Sequence, residues 1–322
     1  MHAHLSWLEA STIGLLQGVT ELFPVSSLGH SVLIPAIIGG SWARDLNVSS
    51  PESPYLAFIV GLHVATALAL VAYFWRDWVR IVRGLATSIA HRRIDNDDQR
   101  LAWLLVLATI PVGIAGLLLE HTLRTVLAKP SPTAIFLIVN GMILFASERW
   151  KRRAPQVANR PGEMYRGGVT GARGSAGQLV AEKSQTGMRD VKLDGVLSRM
   201  PFWRAMLIGA SQCLALAPGI SRSGVAMATG LSRGLSHEAA ARFSFLLATP
   251  VILAAGLLKI PDLMGPLGDG IRGQVLLGSL LSGLGAYLSV RFLSRYFENR
   301  SLRPFGWYCV VAGTVALVLV NR

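Results

Sequence analysis

The stretch YLAFIVGLHVATALALVAYFW, residues 55–75, contains no Asp, Glu, Lys or Arg. The same holds for LAWLLVLATIPVGIAGLLL at 101–119 and GQVLLGSLLSGLGAYLSV at 273–290. Each approaches the ~20 apolar residues a helix needs to cross the hydrocarbon core of a bilayer. Only helices and closed barrels can make that crossing, because every backbone N–H and C=O must find its partner inside the protein. Three less regular runs, 133–147, 239–258 and 305–320, bring the candidate spans to six. The chain is 52% hydrophobic and 15% charged, against ~25% charged in soluble domains. It therefore reads as an all-α polytopic membrane protein, although its 322 residues alone would suggest two soluble domains.

The formal net charge of +13 would suggest nucleic acid in a soluble protein. Here it fits basic loops on the cytoplasmic side of a membrane. No interleaving of aromatic and basic residues supports a nucleic-acid module. Cys213 and Cys309 both lie in apolar sequence, as small core residues do. The N-terminus lacks a basic start and a small-residue cleavage pattern, so no signal peptide is expected.

Two further apolar segments are too interrupted to span: 5–38, broken at FPVSSLGH, and 202–231, broken at APGISRSG. Placed in register, IGLLQGVTELFPVSSLG (13–29) lies over IGASQCLALAPGISRSG (208–224). Ile13/Ile208, Gly14/Gly209, Gln17/Gln212, Ser26/Ser221 and Gly29/Gly224 coincide without a gap. Each segment is followed by three candidate spans. The expected plan is a first repeat over 1–150, a polar basic loop over 151–200 and a second repeat over 201–322. The loop is rich in Gly, Arg and Ser and is expected to be largely disordered.

An odd number of spans per repeat inverts the halves in the membrane, a plan shared with many transporters. Loops 76–100, 151–200 and 291–303 together carry 20 Lys and Arg; the opposing loops 40–54, 121–132 and 259–272 carry five. The positive-inside rule places the first set in the cytoplasm and both termini outside.

The interrupted segments are expected to be re-entrant helical hairpins, since irregular backbone at membrane depth must line protein or a wet cavity. At the first tip, Gln17 and Glu21 share a helix face, and Pro24 ends the helix by barring αR from the residue before it. Ser26 or Ser27 suits the N-cap of the next half-helix, Gly29 permits close backbone approach, and His30 falls in the first turn. At the second tip, Pro218 and Gly219 break the helix. Ser221 and Ser223 offer hydroxyls, Arg222 offers a planar fork of donors, and a half-helix begins near Gly224. Two helix N-termini with an arginine suit a multiply charged oxyanion, above all phosphate.

Plainer readings stand beside these. Glu21 could be a structural acid paired with Arg222, any one serine a cap, and Gln17 and Gln212 partners for the hairpin backbone. His63 reads first as a packing or interhelical hydrogen-bonding group and second as a lining of a substrate channel, and Arg242 and Ser244 read as supports for the second hairpin. Glu148 and Arg149 read as interfacial.

QGVTELFPVSSLGH (17–30) and QCLALAPGISRSG (212–224) resemble the two signature motifs of the undecaprenyl-diphosphatase, or bacitracin-resistance, family. The resemblance extends through LHVATALALVAYFW and ARFSFLLATP over nearly the whole chain. It implies removal of the terminal phosphate of undecaprenyl diphosphate at the outer face of the bacterial inner membrane. The lipid carrier is thereby recycled for cell-wall synthesis. It also implies a divalent cation such as Mg2+ or Ca2+ and a fold of six spans with two re-entrant hairpins. The matching functional positions are Glu21, Ser27, His30 and Arg222. Gln17 stands at a first acidic-motif position that is Glu or Gln in the family, and Leu28 where a hydroxyl residue is usual.

From these residues the expected site has Glu21 and Gln17 placing the metal. Ser26, Gly29, Ser221, Ser223 and Gly224 bind substrate, and Arg222 holds phosphate. Ser27 is the preferred nucleophile with His30 as base and then acid. Attack by His30, or by water with Glu21 as base, remains open. The expected partners are the lipid substrate and membrane lipids, with no nucleic acid and with homodimerisation open. The rival reading is a polyprenyl-phosphate flippase or transporter on the same inverted repeat. A second family of membrane lipid phosphatases fits less well, because SRSGVAMATG lacks the histidine its motif requires.

Overall fold

The computed structural model describes residues 5–46, 54–151, 192–264 and 270–322. They form helices with no strand among them. In order these are α1 (Trp7–Leu22), α2 (Ser27–Ile38), α3 (Gly40–Asp45), α4 (Pro54–Tyr73), α5 (Trp75–His91), α6 (Asp97–Leu127) and α7 (Pro130–Lys151). Then come α8 over 192–198, α9 (Phe202–Ser211) with a 3-10 turn at Gln212–Leu216, α10 (Arg222–Ser232), α11 (His237–Met264), α12 (Arg272–Asn299) and α13 (Arg303–Val320).

Five helices are long and apolar enough to cross a membrane: α6 over Asp97–Leu119, α7, α11 over His237–Leu257, α12 and α13. They cover five of the six expected spans. The sixth, 55–75, is occupied by α4. Their outward faces are apolar. On α12, Leu276, Leu280, Leu284, Leu288 and Phe292 form one stripe at helical spacing, each more than half exposed. A soluble monomer does not leave such a continuous surface in water. These helices fit a multi-pass membrane protein.

Both interruptions are present, and local chemistry makes them. α1 opens on a capping box: Ser6 Oγ accepts from Glu9 N at 3.2 Å, and Glu9 Oε2 accepts from Ser6 N at 2.8 Å. It closes at Phe23, held extended before Pro24. Ser26, at the left-handed φ of 69°, caps α2 by accepting from Gly29 N at 3.2 Å. In the second segment the 3-10 turn ends at Ala217, extended before Pro218. Ser221 caps α10 by accepting from Gly224 N at 3.1 Å. The paired positions Ser26/Ser221 and Gly29/Gly224 thus make the same cap in both segments.

Close helix crossings hold the two segments in place. A Cβ on Gly14 would sit 2.5 Å from the Gly278 carbonyl oxygen of α12, and one on Gly209 would sit 1.9 Å from that of Ala108 on α6. Each paired glycine therefore lets its broken helix touch the backbone of a long helix, the small-residue packing typical of membrane interiors.

One stretch differs from expectation, and a second is described only at its ends. The stretch 76–100, read as loop from its charge, is helical over Trp75–His91. α5 buries Asp77, Ile81, Gly84 and Ser88 on one face and exposes Trp75, Val79, Val82 and Ile89 on another, a three- and four-residue spacing that only a helix serves. The insert 151–200 lies mostly outside the described residues, at 152–191, but its end is ordered. Asp194 of α8 accepts from Arg242 Nε at 2.8 Å and from Arg80 Nη2 at 2.6 Å. Arg242, expected to support the second hairpin, pairs with Asp194 and with Asp77 at 3.1 Å. Glu148, expected to be interfacial, is buried and accepts from His237 Nε2 at 2.6 Å and Leu302 N at 2.8 Å. It satisfies the N-terminus of α13.

Candidate active site

The two breaks meet. Ser26 Oγ, besides capping its own helix, accepts from Gly219 N at 3.2 Å. In return, Ser223 Oγ donates to the Phe23 carbonyl at 3.2 Å and Ser221 Oγ to the same oxygen at 3.4 Å. Gly219 has φ 107°, and a Cβ there would lie 2.4 Å from the Thr133 carbonyl oxygen, so only glycine fits the turn. Asn140 of α7 is fully buried and joins both breaks. Its Nδ2 donates to the Pro24 carbonyl at 3.0 Å, and its Oδ1 accepts from Ser221 N at 3.0 Å.

Glu21, at the last turn of α1, is the centre of the site. Its Oε1 accepts from Arg222 Nη2 of α10. Its Oε2 accepts from Ser27 Oγ, from Gln17 Nε2 at 3.2 Å, and faces His63 Nε2 at 3.3 Å. One buried carboxylate therefore joins four helices: α1, α2, α4 and α10. A carboxylate at this depth requires such partners, because burying it alone costs several kcal/mol. Gln17 is in turn fixed from behind. Its Oε1 accepts from Thr66 Oγ1 at 3.0 Å and from Ser282 Oγ.

His30 is turned to another wall. Its Nδ1 lies 2.6 Å from the Ser26 carbonyl oxygen, which can only accept. Nδ1 therefore carries the hydrogen, and Nε2 accepts from the Tyr308 hydroxyl at 2.8 Å. The two rings stack at 5.7 Å with 12° between their planes. The Ser27 hydroxyl is directed to Glu21, whereas His30 is held by Ser26 and Tyr308.

Gly29 N and Gly224 N are consumed by the serine caps. The first-turn N–H groups of Ser27 and Leu28 in α2, and of Arg222 and Ser223 in α10, have no protein partner among the described residues. These four groups stand at the N-termini of two helices, where free N–H groups and the helix dipole favour negative charge.

The donor set does not fit a metal held by the protein. Glu21 and Gln17 have their oxygens engaged by donors, and no three His, Cys, Asp or Glu gather among the described residues.

The geometry thus gathers Gln17, Glu21, Ser26, Ser27, Gly29, His30, Ser221, Arg222, Ser223 and Gly224 around the junction of the breaks. It adds residues that motif reading left out. His63 had a signal, an ionisable group inside an apolar span. Asn140 had a weaker one of the same kind. Thr66, Ser282 and Tyr308 had none, since hydroxyls are ordinary in apolar helices.

The sequence of this chain matches the family model described as "Bacitracin resistance protein BacA" over residues 10–315. A protein named undecaprenyl-diphosphatase from Mycolicibacterium paratuberculosis is 58% identical over 99% of this chain and 98% of its own length. Undecaprenyl-diphosphatase 1 of Frankia casuarinae is 53% identical over 97% and 98% of the two chains. Undecaprenyl-diphosphatase 2 of Chromobacterium violaceum is 41% identical over 97% and 98%.

Proposed function

The chain belongs to the family of bacitracin resistance protein BacA, and on that footing we propose that it cleaves undecaprenyl diphosphate to undecaprenyl phosphate and inorganic phosphate. The observation that carries the reading is the Ser27–Glu21–Arg222 linkage at the junction of two helix N-termini. It combines a hydroxyl nucleophile, its base and a phosphate-binding cation in one buried place.

The terminal phosphate enters the cradle of N–H groups and draws the guanidinium of Arg222 toward its oxygens. Ser27 Oγ attacks the terminal phosphorus while Glu21 takes the hydroxyl proton. The bond between that phosphorus and the bridging oxygen breaks, and undecaprenyl phosphate leaves with the electron pair. Protonated Glu21 returns its proton to Ser27 Oγ as the Ser27–phosphorus bond breaks, and takes one from the water that attacks the phosphorus. That proton leaves with the inorganic phosphate, which restores the Ser27 hydroxyl and the Glu21 carboxylate. His30, anchored by Ser26 and Tyr308, forms the wall beside this path. Attack by His30 itself would first require release of Nε2 from Tyr308.

The membrane plan is an inverted repeat of 1–150 and 201–322, each with a re-entrant hairpin and three spans, joined by the loop 151–200. The matched caps and matched glycine crossings support it, as does the Lys and Arg bias of the loops. Both termini and the mouth of the site then face the outside of the bacterial inner membrane. In the repeat register Ser27 corresponds to Arg222 and Glu21 to Leu216. Equivalent places carry different chemistry, which favours a one-sided enzyme over a carrier with two equivalent access states.

The test is phosphate release from undecaprenyl diphosphate by purified full-length protein, with Ser27→Ala, Glu21→Gln and Arg222→Ala alongside. Release by wild type and loss in all three variants supports the assignment. Release undiminished in Ser27→Ala would move the reaction to direct attack by water.

A further inference from the structure

We infer that the pocket holds no resident divalent cation, and that such a cation reaches it only as a complex with the lipid's diphosphate. This rests on the diphosphatase reading of the site. The ground is the direction of the hydrogen bonds. A cation needs oxygen lone pairs, and those of the two nominated ligands are turned to donors. Glu21 Oε1 faces the guanidinium of Arg222. Glu21 Oε2 faces Ser27 Oγ, Gln17 Nε2 and His63 Nε2. Gln17 presents its amide nitrogen to the site and keeps its carbonyl oxygen on Thr66 and Ser282. Asn140 Oδ1 is held by Ser221 N.

Mg2+ is usually held by one or two carboxylates turned toward it, with waters and substrate phosphates completing its shell, and here the one carboxylate of the pocket is turned toward Arg222, Ser27, Gln17 and His63. A metal on Glu21 would also lie beside the charge of Arg222. A diphosphate supplies what the protein lacks. Two adjacent phosphate groups chelate a hard cation, and the complex still leaves oxygens for Arg222 and the helix N-termini. Metal and lipid then bind as linked ligands, each raising the affinity for the other.

Mn2+ binding to the full-length protein in detergent, read by electron paramagnetic resonance, tests this. The two arms lack or contain a methylene-bridged, uncleavable polyprenyl diphosphonate. Wild type is expected to bind no stoichiometric Mn2+ alone and one per chain with the analogue. Gln17→Glu places a second carboxylate one turn from Glu21 and is expected to gain Mn2+ binding without the analogue. One Mn2+ per chain on wild type alone, lost in Glu21→Gln, would overturn the inference. So would failure to bind Mn2+ in the presence of bound analogue. Phosphate release by the same preparation separates the two readings: if it fails with every metal, the diphosphatase assignment falls, while the Mn2+ partition is still measured.

Discussion

Arg222 reaches across 201 positions of sequence to donate to Glu21. The pair joins the first broken helix to the second, and both side chains are largely buried, with 17% and 6% of their surfaces exposed. It is at once a structural bond and the charge pair of the site, and the two roles separate experimentally. Arg222→Ala removes the guanidinium from the buried Glu21 carboxylate, leaving it only Ser27, Gln17 and His63, and is expected to destabilise the protein by about 3 kcal/mol. Glu21→Gln combined with Arg222→Met removes both charges and is expected to recover most of that loss without recovering activity. Thermal unfolding in detergent and phosphate release check the two halves.

Ser27 is expected to carry the phosphoryl group between the two half-reactions. Rapid acid quench of wild type with substrate, followed by peptide mass spectrometry, is expected to find phosphate on the peptide containing Ser27. Ser27→Ala is expected to lower kcat by about 1,000-fold or more, as loss of a nucleophile does. Phosphate found on His30 would replace this assignment.

Asn140 holds the Pro24 carbonyl and the Ser221 N–H 3.0 Å from its two amide atoms. Asn140→Leu has a similar volume and leaves the Ser221 N–H buried without its partner and the Pro24 carbonyl with only the weak Cys309 thiol at 3.8 Å, at about 1–3 kcal/mol for the unpaired group. It is expected to lower the unfolding temperature and to abolish phosphate release although no substrate contact is lost. Asn140→Asp retains the acceptor for Ser221 N and loses the donor to Pro24, and is expected to fall between the two.

Tyr308→Phe keeps the ring stacked on His30 and removes the hydroxyl that donates to Nε2. Loss of a single hydrogen bond is worth about 1 kcal/mol, or about fivefold. The expected result is a kcat reduced by that factor with KM little changed, because the bond orients a wall residue and does not touch the lipid. Steady-state kinetics distinguish this from a general loss of folding, which would lower the active fraction and leave kcat per active site unchanged.

Gly209→Ala drives a Cβ to 1.9 Å from the Ala108 carbonyl oxygen. α9 must move away from α6, at an expected cost of about 2 kcal/mol. The same change at Gly116, with nothing within 4 Å of its Cβ position, is expected to be neutral. Comparing the two by thermal inactivation isolates the crossing from the general effect of adding a methyl group.

Much of this protein was written in its order of residues. Long uncharged runs made helices obligatory, because backbone groups in a bilayer have only one another as partners. Pro24 and Pro218 placed the breaks, since a proline restricts the residue before it wherever it stands. Ser26 and Ser221 placed the caps for a similarly local reason. Those effects act over a few residues, so one strand of sequence is enough to see them. The amphipathic α5 is legible in the spacing of Trp75, Val79, Val82 and Ile89, but its arginines give the same stretch the charge of a cytoplasmic loop.

What the sequence could not decide is which groups meet. His63 and Asn140 stand in apolar runs far from either motif, and Tyr308 lies 278 positions from His30. Whether Ser27 gives its proton to Glu21 or to His30 depends on which way two side chains turn. That is set by Tyr308 and Ser26 on one side, and by Gln17, His63 and Arg222 on the other. Sequence by itself therefore determined the helices, their interruptions and the chemical inventory of the site. The tertiary structure decided the pairing, because hydrogen bonds in a buried pocket are allotted among all the groups that reach it.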